Sequence, residues 1–212
     1  MADILDQSQV TSHADSLGLV YSAVYDSQTF TAGLSGNLSS ISLWLSKSGS
    51  PADLVVEIRT TLAGKPTSTV LATQTISAVT IIHNTQLDVV FSSPCSVASG
   101  TKYAIVLHQL ADGGSGSNYY RSRGAAYYEY YTGGDEITSN NSGSTWTINA
   151  TIDLWFKTYV SIKSVSILSD AQFFIPSTTI LSDNTFVIDN SYDTNNKISF
   201  ISQLVSDINN KF

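Results

Sequence analysis

The chain is short of the residues that most site chemistry requires. Its 212 residues include one cysteine, three histidines and ten Lys and Arg against 17 Asp and Glu, a net charge of −7. A single cysteine, Cys95, excludes an intramolecular disulfide framework, and with His13, His83 and His108 far apart there are too few soft ligands for a Cys/His zinc site. The acidic balance gives no field to hold nucleic acid or an anionic membrane. No run of about 18 apolar residues occurs, so no membrane insertion is expected. The opening Met1-Ala-Asp-Ile-Leu-Asp-Gln-Ser has neither the basic start nor the apolar run of a secretory signal. Synthesis in the cytoplasm without a signal peptide is the expectation.

Catalytic signatures are equally sparse. No Gly-x-Ser-x-Gly elbow occurs, and Gly113-Gly-Ser-Gly-Ser has the wrong spacing for one. Nothing marks a histidine as a base, Cys95 after Pro94 reads as a small buried residue, and no local pattern supports a carboxylate pair for glycoside cleavage. The expectation is a protein that is not an enzyme.

What is abundant is Ser, 34 residues, and Thr, 22 residues, in a chain that is 42% hydrophobic and 13% charged. That is a strand-rich, globular composition. Period-two segments dominate from 18 to 160: Ile41-Ser-Leu-Trp-Leu, Leu54-Val-Val-Glu-Ile-Arg, Leu87-Asp-Val-Val-Phe, Tyr103-Ala-Ile-Val-Leu and Leu154-Trp-Phe-Lys-Thr-Tyr-Val. Turn signals separate them at Ser48-Gly-Ser-Pro51, Ala63-Gly-Lys-Pro66, Ser92-Ser-Pro94, Ser99-Gly100 and Asp112-Gly-Gly-Ser-Gly116. About eight to ten strands in two antiparallel sheets fit this pattern. Residues 1–17 read as an N-terminal arm.

Beyond Val160 the texture changes. Ile167-Leu-Ser-Asp-Ala-Gln-Phe-Phe-Ile175 is echoed by Ile180-Leu-Ser-Asp-Asn-Thr-Phe-Val-Ile188. Ile198, Ile201, Leu204, Val205, Ile208 and Phe212 then recur at helical steps. Residues 161–212 are thus expected to be short strand repeats plus an amphipathic helix, an appendage for oligomerisation or anchoring.

Gln28-Thr-Phe-Thr-Ala-Gly-Leu-Ser-Gly-Asn-Leu-Ser-Ser-Ile-Ser-Leu-Trp-Leu45, Asp53-Leu-Val-Val-Glu-Ile-Arg59, Ser99-Gly-Thr-Lys-Tyr-Ala-Ile-Val-Leu107 and Asp153-Leu-Trp-Phe-Lys-Thr-Tyr159 together resemble the choice-of-anchor R module of bacterial surface and phage proteins. Across about 18–160 the resemblance implies a jelly-roll-like β-sandwich in an exposed, non-catalytic setting. Ser139-Asn-Asn-Ser-Gly-Ser-Thr-Trp146 locally resembles the Asp-box of sialidases and related β-proteins, with Asn141 in place of the Asp. Such a turn fastens a hairpin over its Trp and does not argue for sialidase chemistry.

The densest unusual segment holds Tyr119, Tyr120, Arg121, Arg123, Tyr127, Tyr128, Tyr130 and Tyr131. Aromatic faces stack on pyranose rings, and guanidinium and phenol groups donate to hydroxyls, so these residues are the candidate glycan platform. The alternative is ordinary sheet packing, because alternate residues of a strand face opposite sides. No cofactor is implied. A structural calcium is the alternative that Asp112, Asp135, Glu136 and Asp153 leave open beside Gly-rich turns.

The expectation is therefore an all-β, antiparallel jelly-roll-like sandwich with a C-terminal appendage. It would serve as a non-enzymatic virion structural protein, from a bacteriophage for example, or as a surface-assembly protein at the cell exterior. The runner-up is a carbohydrate-binding receptor-recognition or adhesion protein whose partner is a host glycan.

Overall fold

The computed structural model describes residues 3–11, 17–110, 116–126 and 131–161. The chain divides into a compact unit, Met1–Val165, and a second, Ser166–Phe212. The strand repeats and amphipathic helix expected in the C-terminal appendage lie outside the described residues, as do Asp112, His13, Tyr127, Tyr128 and Tyr130.

The described part is an all-β antiparallel sandwich. Its strands are β1 (Asp3–Gln9), β2 (Leu19–Val20), β3 (Tyr25–Thr31), β4 (Gly36–Ser48), β5 (Leu54–Leu62), β6 (Lys65–Ile76) and β7 (Thr85–Val97). They continue as β8 (Lys102–Gln109), β9 (Tyr119–Ser122), β10 (Gly124–Ala126), β11 (Glu136–Ser139), β12 (Thr147–Asn149), β13 (Ile152–Leu154) and β14 (Phe156–Ser161). These exceed the expected eight to ten because six are pieces of two to four residues. Such pieces hold too few side chains to show a period.

The topology is a jelly roll. Four antiparallel pairs nest inside one another in sequence, β5 with β6, β4 with β7, β3 with β8 and β2 with β9. They fall alternately in two sheets, so the long hairpin they form is rolled up. The first sheet contains β2, β9, β4 and β7, the second β3, β8, β5 and β6. The remaining strands extend this frame. β14 and then β1 join the first sheet along β4, and β11 and β12 extend the second beyond β3. Residues 3–9 are therefore an edge strand, from Asp3 opposite Ser161 to Gln9 opposite Phe156. Asp6 is turned back to accept from the backbone N–H of Gly33 and Leu34. Its alternate positions thus serve polar contacts where a buried strand would carry apolar ones.

β4 has β7 along one edge, while β14 and β9 lie end to end along the other. At their meeting point β10 and β13 peel away together as a two-stranded ribbon. Cβ-free Gly124 permits this close pairing, since a methyl there would lie 2.1 Å from the Asp153 carbonyl oxygen. The turn signals hold at Ala63–Gly64, both at positive φ as a tight hairpin requires. They fail at Ser92-Ser-Pro94, where β7 continues. There the register against β4 jumps from Leu38↔Cys95 to Ser40↔Val90, and Pro94 occupies the bulge, where no ladder donor is needed.

Between the sheets lies one core. Leu38, Ile41, Leu43 and Leu45 of β4 meet Phe30, Leu54, Val56, Ile58, Ile105 and Leu107 of the second sheet, with Phe156 and Tyr120 between. A smaller cluster forms on the outer side of the second sheet, where Trp146 covers Ala104, Val106 and Ile137. The 139–146 turn holds it there. Asn141 Oδ1 accepts from Thr145 N–H at 2.9 Å, and its Nδ2 donates to Thr145 Oγ1 at 2.8 Å. Ser139 Oγ accepts from Gly143 N–H at 2.9 Å. The amide of Asn141 thus fastens this turn.

Candidate functional site: the outer face of the first sheet

Beyond the irregularity at Leu38–Ser40, β4 alternates, and Ile41, Leu43 and Leu45 fill the core. The opposite phase, Ser40, Ser42, Trp44, Ser46 and Ser48, belongs to the outer face. Cross-strand partners share a face. Tyr159 therefore stands beside Ser40, Lys157 beside Ser42, Arg121 beside Ser46 and Tyr119 beside Ser48. At the central position Arg123 N–H donates to the Trp44 carbonyl at 3.0 Å.

The outcome is one row in which cations and rings are interleaved. The Arg121 guanidinium lies 4.9 Å from the Tyr119 ring centre, that of Arg123 5.1 Å from Trp44, and Lys157 Nζ 5.2 Å from Trp155. Trp44 and Trp155 meet edge to face at 5.5 Å. Asn84 Oδ1 accepts from Trp44 Nε1 at 2.9 Å and from Arg123 at 3.4 Å, fixing both. On the β7 side Asp88 Oδ1 accepts from Ser42 Oγ at 2.6 Å and Gln86 Nε2 at 2.7 Å. Two shallow clefts flank Trp44. One of about 300 Å³ is lined by Ser46, Ser48, His83, Asn84, Tyr119 and Arg121. The other, of about 320 Å³, is lined by Asp3, Ser40, Ser42, Gln86, Asp88 and Tyr159.

The structure divides the platform residues named from sequence. Tyr119, Arg121 and Arg123 are on this face and half-buried. Tyr120 and Tyr131 are not. Tyr120 is fully buried, its hydroxyl donating to the Ala52 carbonyl at 2.7 Å. Tyr131 stacks edge to face on Phe156 at 5.1 Å and donates to Gln7 Oε1 at 2.9 Å. Burial, the first cause in each case, pushes both phenols up to about 12. Neither presents a face to a ligand: the strand alternation that puts Arg121 outside puts Tyr120 inside, and Tyr131 is held inward by Phe156 and Gln7. Sequence reasoning missed Trp44, Trp155, Lys157 and Tyr159 as members of the row. Their signal was present, since Trp44 shares the serine phase of its strand, and Trp155, Lys157 and Tyr159 oppose Phe156 and Val160.

A second concentration of titratable groups lies inside. Asp26 and Glu136 are 0% and 2% exposed and stand diagonally across β3 and β11. Burial, then the Glu136 charge, push the Asp26 carboxyl well above the usual carboxylate range. Burial likewise raises Glu136, which accepts from Asn149 Nδ2. Ser122 Oγ donates to Asp26 Oδ2 at 2.6 Å. Of the residues considered for calcium, Glu136 belongs to this pair. Asp153 accepts from Gln28 Nε2 and Tyr131 N–H. Asp135 joins Thr29 through its backbone. Among the described residues no group of three or more His, Cys, Asp or Glu side chains is placed to hold a metal.

Fold and site together define a jelly-roll β-sandwich with a grooved, aromatic and cationic outer face. No protein-family model and no curated protein matches the chain.

Proposed function

We propose that this protein is a non-enzymatic component of a virion, phage-like in kind, or of another surface assembly, and that its jelly roll faces outward to recognise carbohydrate. The row from Tyr119 to Tyr159 carries the reading. It sets the half-buried rings of Tyr119, Trp44 and Tyr159, fixed cations and a serine and amide floor along one strand, the groups that bind a polyhydroxylated ligand. The interior carboxyl pair is sealed in the sandwich, and His83 on the groove wall engages the Lys47 carbonyl through Nδ1. A glycan array on the full chain is expected to show saccharide binding. Tyr119→Ala and Tyr159→Ala are each expected to weaken it about three- to tenfold while melting stays near wild type. Absence of any bound saccharide, or indifference to both substitutions, refutes recognition by this face.

The assembly part of the reading is supported by the apolar stripe Ile198, Ile201, Leu204, Val205, Ile208 and Phe212, which needs a covering surface. Light scattering on the full chain should give a multiple of the monomer mass, and a chain ended after Val165 should give one monomer mass. Equal, monomeric masses for both would overturn assembly through this segment.

A further inference from the structure

Resting on the recognition reading, we infer that the outer face of the first sheet is built for an acidic saccharide lying along β4. Each cation in the row lies about 5 Å over an aromatic ring, so Tyr119, Trp44 and Trp155 each have a face taken up by the protein's own charge. Rings used this way position cations, and a neutral sugar stacking on them must compete with those cations.

The register gives the charges their spacing. Arg121, Arg123 and Lys157 adjoin Ser46, Trp44 and Ser42, alternate positions of one strand and therefore about 7 Å apart along it. Three of the chain's ten Lys and Arg thus fall within about 13 Å on one face of a protein whose net charge is −7. Neighbouring cations, about 7 Å apart along the strand, lie within the screening length of about 8 Å at physiological salt, so each adjacent pair acts on the same stretch of an anionic ligand. Opposite them, across β4, stand Asn84, Gln86 and Asp88, an amide and carboxylate rail suited to hydroxyl groups.

One rail for anionic groups and one for hydroxyls select a ligand that carries both at intervals. That is a uronate-bearing or sulfated oligosaccharide. A uniformly charged polyanion such as nucleic acid gains from the first rail, meets Asp88 and Asp3 at the far cleft, and is repelled by the acidic remainder of the chain.

The test uses the full chain with four immobilised polymers: polygalacturonate, dextran sulfate, neutral dextran and single-stranded DNA. Binding to polygalacturonate or dextran sulfate at least tenfold tighter than to dextran and DNA is expected, weakening with salt. The preferred polymer of the two identifies the anionic group as carboxylate or sulfate. Lys157→Gln and Arg121→Gln should each weaken that binding about three- to tenfold without changing the melting temperature. Equal affinity for dextran and the acidic polymers, unaltered by these substitutions, overturns the acidic ligand and leaves saccharide recognition standing. Equal affinity for DNA overturns saccharide selectivity, and binding to none of the four, with an empty glycan array, overturns both readings.

Discussion

Asp26→Asn should make the protein more stable at neutral and alkaline pH and remove most of the pH dependence that the wild type shows there. In the folded chain Asp26 and Glu136 are buried side by side, and both carboxyls titrate above their ordinary range. A carboxyl whose folded value is raised contributes its full share of stability below the unfolded value, about pH 4, and loses it as pH rises through the folded value. Wild-type stability should therefore decline as pH rises above about 4. The introduced amide would keep the acceptor for Ser27 N–H and offer Glu136 a donor in place of a second charge. The gain at pH 8 should be about 1–3 kcal/mol, the scale of an uncompensated buried charge beside a partner. Glu57 works in the opposite direction. Burial raises it, but hydrogen bonds from His108 and Arg59 and their charges outweigh that and hold it below its usual value, so it adds stability as pH rises. The decisive quantity is accordingly the difference between variant and wild type across pH 4 to 8 in thermal melts. Parallel curves would show that the Asp26 carboxyl titrates in the folded state as it does in the unfolded chain.

Phe156→Ala should cause the largest loss at a single position. The ring is fully buried where β14 begins, between Phe30 at 6.4 Å and Tyr131 at 5.1 Å. It bridges the two sheets and supports the strand that carries Lys157 and Tyr159. Truncation forfeits the burial of the ring and leaves a cavity, at a cost of about 3–5 kcal/mol. For a unit of this size the melting temperature should fall on the order of 10 °C. Chemical denaturation with an unchanged slope would give the same difference. A loss below about 1 kcal/mol would mean that the sheets close over the site by another route.

The alternation of Ile41, Leu43 and Leu45 already implied a sheet covering one core, and that much of the sandwich was legible because apolar side chains alone set the phase. Trp44 lies on the opposite phase of that strand, among serines. Its place in the row was missed because the dense run of tyrosines near residue 120 stands out by composition, whereas membership of a face is decided by parity. Tyr120 and Arg121 are neighbours in sequence and on opposite sides of the sheet. Nothing local could place Tyr119 and Tyr159 in one row, since each is positioned by pairing with β4 and not with the other. Nor could it place Asp26 beside Glu136, whose strands meet only when β11 adds to the edge of β3. The edge strand β1 was illegible for a related reason. Its contacts are polar, through Asp6 and Gln9, and a strand of that kind has no apolar period to read.

The rolled winding also decides when the groove comes into being. β4 can pair with β7 early, but its other edge must wait for β9 and β14, the latter ending at Ser161. Until the ribosome has delivered that residue, β4 offers thirteen residues with one open edge and an apolar phase of Ile41, Leu43 and Leu45, the kind of surface on which unfinished chains join one another. Closing so distant a contact is slow, because the entropy of the intervening loop is lost before the pairing compensates for it. The bulge at Pro94 and the serines on the other phase make β4 and β7 poorer templates for a second chain during that interval. Those serines, Ser40, Ser42, Ser46 and Ser48, are also the floor of the finished groove.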